Sequence, residues 1–302
     1  MNKAIEKFID NEPDHPYRTA HLREWQKSLQ HKVLLSKISR LDINEITSKW
    51  KKTGPFKIPL QHATLNRYLS SLSLLFESAK KWGWIIKNPV KESEKYQEPV
   101  GRVRYLNDDE LDRLLLACRK SSYEPLELIV LLAVSTGMRK GELMNLRWTQ
   151  VDLQKGIIIL NKTKNGSQRR VYLRDVALQK IKEFSKVRRI DTDLLFPGEH
   201  KSSMKAKVPG KPTERCFDIK KSWYKAIREA KPNNFHFHDL RHSCASYLAM
   251  SGATHLEIAE VLGHKTFELV KRYSHLSDTH TASVVERMNQ RVFAGRGGLL
   301  GS

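Results

Sequence analysis

Acidic residues are scarce in this chain: 33 Asp and Glu stand against 54 Lys and Arg over 302 residues, a formal charge of +21. An excess of that size argues against basic partners and favours a polyanion. Residues 1–100 hold 18 basic and 11 acidic side chains, and the remainder 36 and 22, so the surplus per residue is about equal in both parts. That evenness is unlike a neutral enzyme carrying a basic tail and suits two halves meeting one nucleic acid. A ribosome-associated or merely basic protein is the plainer alternative. Cysteine is nearly lacking. Cys118, Cys216 and Cys244 are odd in number, far apart and outside CxxC spacing, which excludes a disulfide framework. Cys118 and Cys244 fall in apolar helical stretches, as buried thiols of a reducing cytoplasm would. No apolar run approaches the roughly 18 residues a spanning helix needs. The longest, Leu126–Val134, is interrupted by Glu127, and MNKAIEKFIDNE at the start has no apolar core of a signal peptide. A soluble, cytoplasmic protein is expected, without a membrane partner. Internal repeats, a Walker loop and a convincing carboxylate cluster for magnesium are also missing.

What is present divides into two parts, as a length of 302 residues suggests. Residues 1–98 read as all-helical. Between 62 and 83, Leu65, Tyr68, Leu69, Leu72, Leu75, Phe76, Ala79 and Trp82 keep a helical period. The opposite face presents Asn66, Arg67, Ser70, Ser73, Lys80 and Lys81, and Arg67, Lys80 and Lys81 are the candidates for DNA phosphate contacts. A simply solvated face fits that pattern equally well. Asn88-Pro89 closes the unit, and the polar stretch 91–104 reads as linker, narrowed to 99–104 between a helical domain 1–98 and a second domain 105–290. Asn107 is placed to cap a helix with acidic residues in its first turn. Leu126–Ser135, apolar nearly all round, predicts a central buried helix, broken at Thr136-Gly137 and followed by a short helix through Leu146. Ile157–Leu160 and Arg170–Leu173 flank Asn165-Gly166 and predict a β-hairpin. The basic stretch 199–212 reads as an irregular loop, and 291–302 as an unstructured tail. The fold class is therefore mainly α with a small β-sheet, α+β.

The chemistry concentrates in the last third, in HDLRH (238–242), LGHK (262–265) and KRYSH (271–275). Tyr273 is the candidate nucleophile. A phenol with a pKa near 10 is ionised to about one part in a thousand at neutral pH, so it needs neighbouring cations or a base. His238 and Arg241 share a helix face at i and i+3, and an arginine fork with an imidazole suits a phosphodiester gaining charge in attack. The same motif could merely cap a helix through His238 or Asp239. Zinc on His238 and His242 lacks the HExxH glutamate and a third ligand, so no metal is expected. Arg139 follows Gly137 where a helix N-terminus would aim amides at an anion; alone it would be an ion-pair partner of Glu142. His264, after Gly263 at a helix end, can donate to a phosphoryl oxygen. Lys164, beside the Asn165-Gly166 turn, is a surface lysine or a general acid for a departing oxygen.

Arg139, Lys164, His238, Arg241, His264 and Tyr273, taken as an ordered set, resemble the tyrosine recombinase family, in particular phage and prophage integrases. The stretch ATLNRYLSSLSLLFESAKKWGWIIKNPV resembles its core-binding domain. STGMRKGELMNLRW, TKNGSQRRVYL, FHDLRHSCASYLAMSGA and VLGHKTFELVKRYSHL resemble successive blocks of its catalytic domain, with coverage from about residue 15 to 280. The resemblance implies a helical core-binding domain and a catalytic domain closing as a C-shaped clamp on duplex DNA attachment sites. It implies that Tyr273 forms a 3′-phosphotyrosyl link and frees a 5′-hydroxyl, which attacks a partner strand through a Holliday junction. Arg139, Arg241 and His264 would stabilise the phosphorane, His238 would assist proton transfer from the tyrosine, and Lys164 would be the general acid. Neither ATP nor any other cofactor is implied, and a homotetramer on DNA is. Integration or excision of a prophage or other mobile element is the implied purpose, with an accessory DNA-bending protein left open. Tyr172 departs from the family, which often has proline there; the effect should be on packing. The core-binding resemblance begins almost at Met1, so the small arm-binding domain of many phage integrases is expected to be missing. Val284–Val292 could dock on a neighbouring subunit. A catalytically silent DNA-binding or architectural protein of the same fold is the chief alternative, and a monomeric type IB topoisomerase a lesser one.

Overall fold

The computed structural model describes residues 1–11, 15–30, 32, 34–99, 102–160, 168–198, 215–264, 266, 270–276 and 278–293. The chain forms two compact units, Met1–Gly101 and Arg102–Ser302. Lys164, the Asn165-Gly166 turn, the whole basic stretch 199–212 and the residues after 293 lie outside the described residues.

The first unit packs α1 (Asn2–Asn11), α2 (Pro16–Ser28), α3 (Arg40–Lys52) and α4 (His62–Lys81) around one core. Ser39 and Asp42 close a capping box at the start of α3. The apolar stripe of α4 is buried from Leu65 to Ala79, and Trp50 meets Trp25 at a tilt and Tyr68 edge-on inside the unit. Of the opposite face, Arg67, Lys80 and Lys81 are exposed. Asn66 and Ser73, grouped with them in the sequence, have internal duties instead. Asn66 bonds both the amide and the carbonyl of Tyr96, and Ser73 accepts from Asn88 Nδ2. Residues 96–98 are therefore held against α4, with His62 Nδ1 2.8 Å from the Gln97 carbonyl.

The second unit begins with two arginines fixed to it. Arg102 reaches Asp239 at 2.6 Å and the Asn234 carbonyl, and Arg104 pairs with Glu110 at 2.5 Å. Asn107 and Glu110 form a capping box for α5 (Asp108–Arg119). The apolar α6 (Leu126–Thr136) is the central buried helix, contacting α5, α8 (Asp175–Ser185) and α10 (Asp239–Met250). Gly137 ends α6 with φ +61°, the left-handed conformation glycine adopts without penalty. A short α7 (Lys140–Met144) follows. The sheet is a three-stranded antiparallel meander, β1 (Val151–Asp152), β2 (Ile157–Leu160) and β3 (Arg169–Tyr172). Strand β3 starts one residue earlier than the sequence predicts, because Leu160 pairs with Arg169, and β1 adds a strand that pattern alone left out. Tyr172 points outward, 54% exposed, with the Arg174 guanidinium over its ring, so the departure from proline alters the surface rather than core packing. Helix α9 (Lys220–Ala230) packs on α5, and α11 (His255–Leu262) on α10. The final helix α12 (Asp278–Phe293) runs three residues into the segment 291–302 read as unstructured. The core of the unit fills the space between α5, α6, the sheet and α9, and a smaller cluster joins α10, α11 and Tyr273. Among the described residues no helix is long and apolar enough to cross a membrane.

Candidate active site

The ends of α6 and α11, the start of α7, strand β3 and one face of α10 meet at a cluster of arginines. Arg241 is its centre. It is 5% exposed, and its fork donates through Nη1 to the Gly137 carbonyl and through Nη2 to the Leu262 carbonyl, the latter at 2.6 Å. Both glycine turns of the site thus close on one guanidinium. Burial, then Arg139 and Arg169, pull Arg241 down to about 10, still far above neutrality, so it stays charged.

Arg139 lies at the head of α7. Its Nη1 pairs with Glu142 at 2.9 Å, and its own amide donates to the other oxygen of that carboxylate at 3.0 Å. The Arg139 amide is taken by Glu142, and α7 is a helix of only five residues. The ion pair considered as the alternative is the one observed. Glu142 also receives Arg169 Nη2 at 3.0 Å.

Arg169 was missed in the sequence. It is 8% exposed, donates to the Val261 carbonyl at 3.2 Å, and leaves Nε buried without a partner among the described residues. The signal existed: strand alternation puts Arg169 on the inward face with Val171, while Arg170 and Tyr172 face out. Arg169 also explains Gly263, whose φ is +65°. A Cβ there would lie 2.6 Å from Arg169 Cδ, so position 263 requires glycine twice over.

His264 follows that glycine. It is half-buried, its Nδ1 has no hydrogen-bond partner among the described residues, and its pKa falls to about 4. Burial is the first cause, followed by Arg241, Arg139, Arg169 and Arg272. A neutral imidazole with an idle ring nitrogen among four guanidiniums is suited to bonding an anion's oxygen.

His238 precedes α10 and is held below the ordinary histidine value by partial burial and by Arg241. Its neighbour Asp239 is buried, accepting from Arg102 and from the His236 amide at 2.8 Å, and neither side chain caps α10. Tyr273, in the helical turn Lys271–Leu276, is 2% exposed and part of the α10–α11 cluster. Burial pushes it up to about 12, with Arg272 and Arg241 opposing. The hydrogen-bond partner of its hydroxyl is His242 rather than His238, with Nδ1 2.5 Å from Oη. His242 entered the sequence reading only as half of a zinc pair; its pKa is pulled down to about 4 by burial, then by His238. Arg139, His238, Arg241, His264 and Tyr273 are thus gathered within one unit. Arg67, Lys80 and Lys81 lie in the other unit, and Lys164 lies outside the described residues.

Two half-buried neutral histidines make stability pH-dependent. Below the ordinary imidazole pKa near 6.5 the unfolded chain binds protons that His242 and His264 refuse until about 4. The urea midpoint should therefore drop as pH is lowered through that window. A His264→Asn variant should show a shallower drop, and an unchanged slope would contradict the burial of His264.

The match to the phage integrase family covers residues 104–280. The integrase of Salmonella phage P22 is 31% identical over 229 residues, covering 74% of this chain and 56% of that protein, so the chain spans little more than half of that relative. The shufflon-specific DNA recombinase of Escherichia coli is 31% identical over 312 residues, covering 97% of this chain and 74% of that protein. Among solved structures, the Tn1549 transposon integrase in complex with transposon right end DNA superposes with a TM-score of 0.70 at 17% identity, covering 95% of this chain and 98% of that one, a likeness of fold. The family match spans the arginine cluster and Tyr273 together, and the chain belongs to the phage integrase family of tyrosine recombinases.

Proposed function

We propose that this chain is a site-specific DNA recombinase of integrase type, cutting and rejoining strands through a covalent 3′-phosphotyrosine at Tyr273. One observation carries the reading. Arg139, Arg169 and Arg241 crowd around a single carboxylate, Glu142, and Arg241 itself bonds only backbone carbonyls among the described residues. A cluster with that surplus of buried positive charge calls for an anion. A DNA phosphate supplies it beside a tyrosine whose charge neighbours are Arg241 and Arg272.

In the proposed reaction Arg139, Arg241 and His264 hold the non-bridging oxygens as charge builds on phosphorus, and His238 adds a further donor. Tyr273 attacks, and Lys164 protonates the departing 5′ oxygen. A partner 5′-hydroxyl then attacks the phosphotyrosine. The link conserves the bond, so the scheme invokes no nucleotide hydrolysis and no cofactor. Duplex attachment sites are the partner, bound through the even positive charge of both units, with Arg67, Lys80 and Lys81 on the α4 face as contacts. Structures of relatives bound to DNA support that partner. Assembly as a homotetramer on DNA belongs to the same reading. Val284, Val285, Met288, Val292 and Phe293 leave an exposed apolar stripe on α12 suited to a neighbouring subunit. Domain roles follow: core binding for 1–98, catalysis for 105–290. A cytoplasmic, nucleoid-associated location and a role in moving a prophage or other mobile element complete the proposal.

A nicked suicide duplex carrying the attachment sequence tests it. Wild type should form a protein–DNA adduct stable on a denaturing gel, and Tyr273→Phe should form none while retaining the footprint. Footprinted DNA without any adduct in wild type would favour the silent architectural protein. Relaxation of supercoils without paired sites would favour a topoisomerase.

A further inference from the structure

We propose that His242 is a further catalytic residue, the group that accepts the Tyr273 proton during cleavage and returns it during ligation. The inference rests on the assignment of Tyr273 as nucleophile and goes beyond it, since His242 is outside the six residues of that reading.

Geometry carries the argument. His242 sits one turn past His238 on α10, and its Nδ1 lies 2.5 Å from Tyr273 Oη, shorter than an ordinary hydrogen bond. His238 has no such contact; its ring stands edge-on to His242, with centroids 5.4 Å apart. Because Tyr273 is 2% exposed, bulk water is poorly placed to take the proton. With the Tyr273 hydroxyl as donor, Nδ1 accepts and the imidazole is the tautomer protonated at Nε2. A base in that tautomer has its lone pair aimed at the proton that must leave.

The step balances. The Oη proton passes to His242 Nδ1, the phenolate forms the Oη–phosphorus bond, and the phosphorus–O5′ bond breaks with its electron pair on O5′. Lys164 protonates O5′. In reverse, the imidazolium protonates the departing Tyr273 oxygen.

The surroundings explain why the pair stays idle without DNA. Burial first, then His238 and the guanidiniums of Arg272 and Arg241, disfavour protonation of His242, against Asp239. A phosphodiester seated beside Arg241 offsets the charge of that guanidinium. The substrate thereby raises the basicity of His242, and the nucleophile is activated only where a phosphate is bound.

The test uses the full chain and a nicked duplex bearing its footprinted attachment site, with single-turnover adduct formation as the readout. His242→Gln should bind the site with unchanged affinity and cleave about 100-fold more slowly or worse. A 5′-bridging phosphorothiolate, whose leaving group needs no acid, should relieve a Lys164→Ala defect and leave the His242→Gln defect in place. Added imidazole should restore cleavage to His242→Gly in proportion to its concentration, which a folding defect would not allow. Cleavage by His242→Gln within twofold of wild type overturns the proposal. So does relief of its defect by the phosphorothiolate, or failure of imidazole to rescue a His242→Gly protein that binds the site. An adduct in wild type keeps the reading of Tyr273 intact in each of those cases; its absence in wild type removes that reading and this one together.

Discussion

Arg241→Ala should lower the rate of adduct formation by about three orders of magnitude, or roughly 4 kcal/mol in the barrier. A preorganised donor aimed at developing charge is worth most where water is excluded, and Arg241 is 5% exposed. DNA affinity should change far less, because one phosphate contact among many is removed. Arg241→Lys should recover little of the rate. The guanidinium spans two carbonyls, of Gly137 and Leu262, that end different helices, and one ammonium cannot reproduce that fork. Single-turnover cleavage beside a filter-binding isotherm checks both statements. A lysine variant near wild type would show that charge alone suffices and that the two-ended clamp is incidental.

Glu142→Gln should destabilise the second unit by about 3 kcal/mol, the scale for removing one partner of a buried ion pair. Glu142 is the shared acceptor for Arg139 Nη1, the Arg139 amide and Arg169 Nη2. Without its charge, three guanidiniums repel one another at the meeting point of α7, β3 and α10. The variant's urea midpoint should fall, and sulfate should restore part of it by binding where the carboxylate charge was lost. The recovery distinguishes charge imbalance from lost packing, which an anion would not repair. A midpoint equal to wild type would mean that solvent already screens the cluster.

Local features were legible because their causes are local. The Asn107 cap, the apolar α6, the stop at Gly137 and the strand at Ile157–Leu160 each follow from a few adjacent residues. Arg139 with Glu142 was legible as well, three residues apart, although the sequence favoured free amides there. Less was visible where partners are distant. Arg169 meets Val261 across 92 positions and Glu142 across 27. Its alternation with Val171 hinted at burial, but nothing nearby named its partners.

The sequence by itself determined the fold class, a charge excess suited to a polyanion and the ordered set of chemical groups, since charge, periodicity and motif order are properties of the chain. Only the tertiary structure decided how those groups are paired. It buried Tyr273 and gave its hydroxyl to His242, 31 positions away, rather than to His238. It closed Arg241 on two carbonyls, 104 and 21 positions away, and left His264 Nδ1 without a partner among the described residues. Helix spacing fixes which residues share a face, as His238 and His242 do. Which of the two meets the tyrosine depends on how the turn at Lys271–Leu276 packs on α10, and that is set by the small core of Cys244, Ala245, Leu262 and Val270 around it.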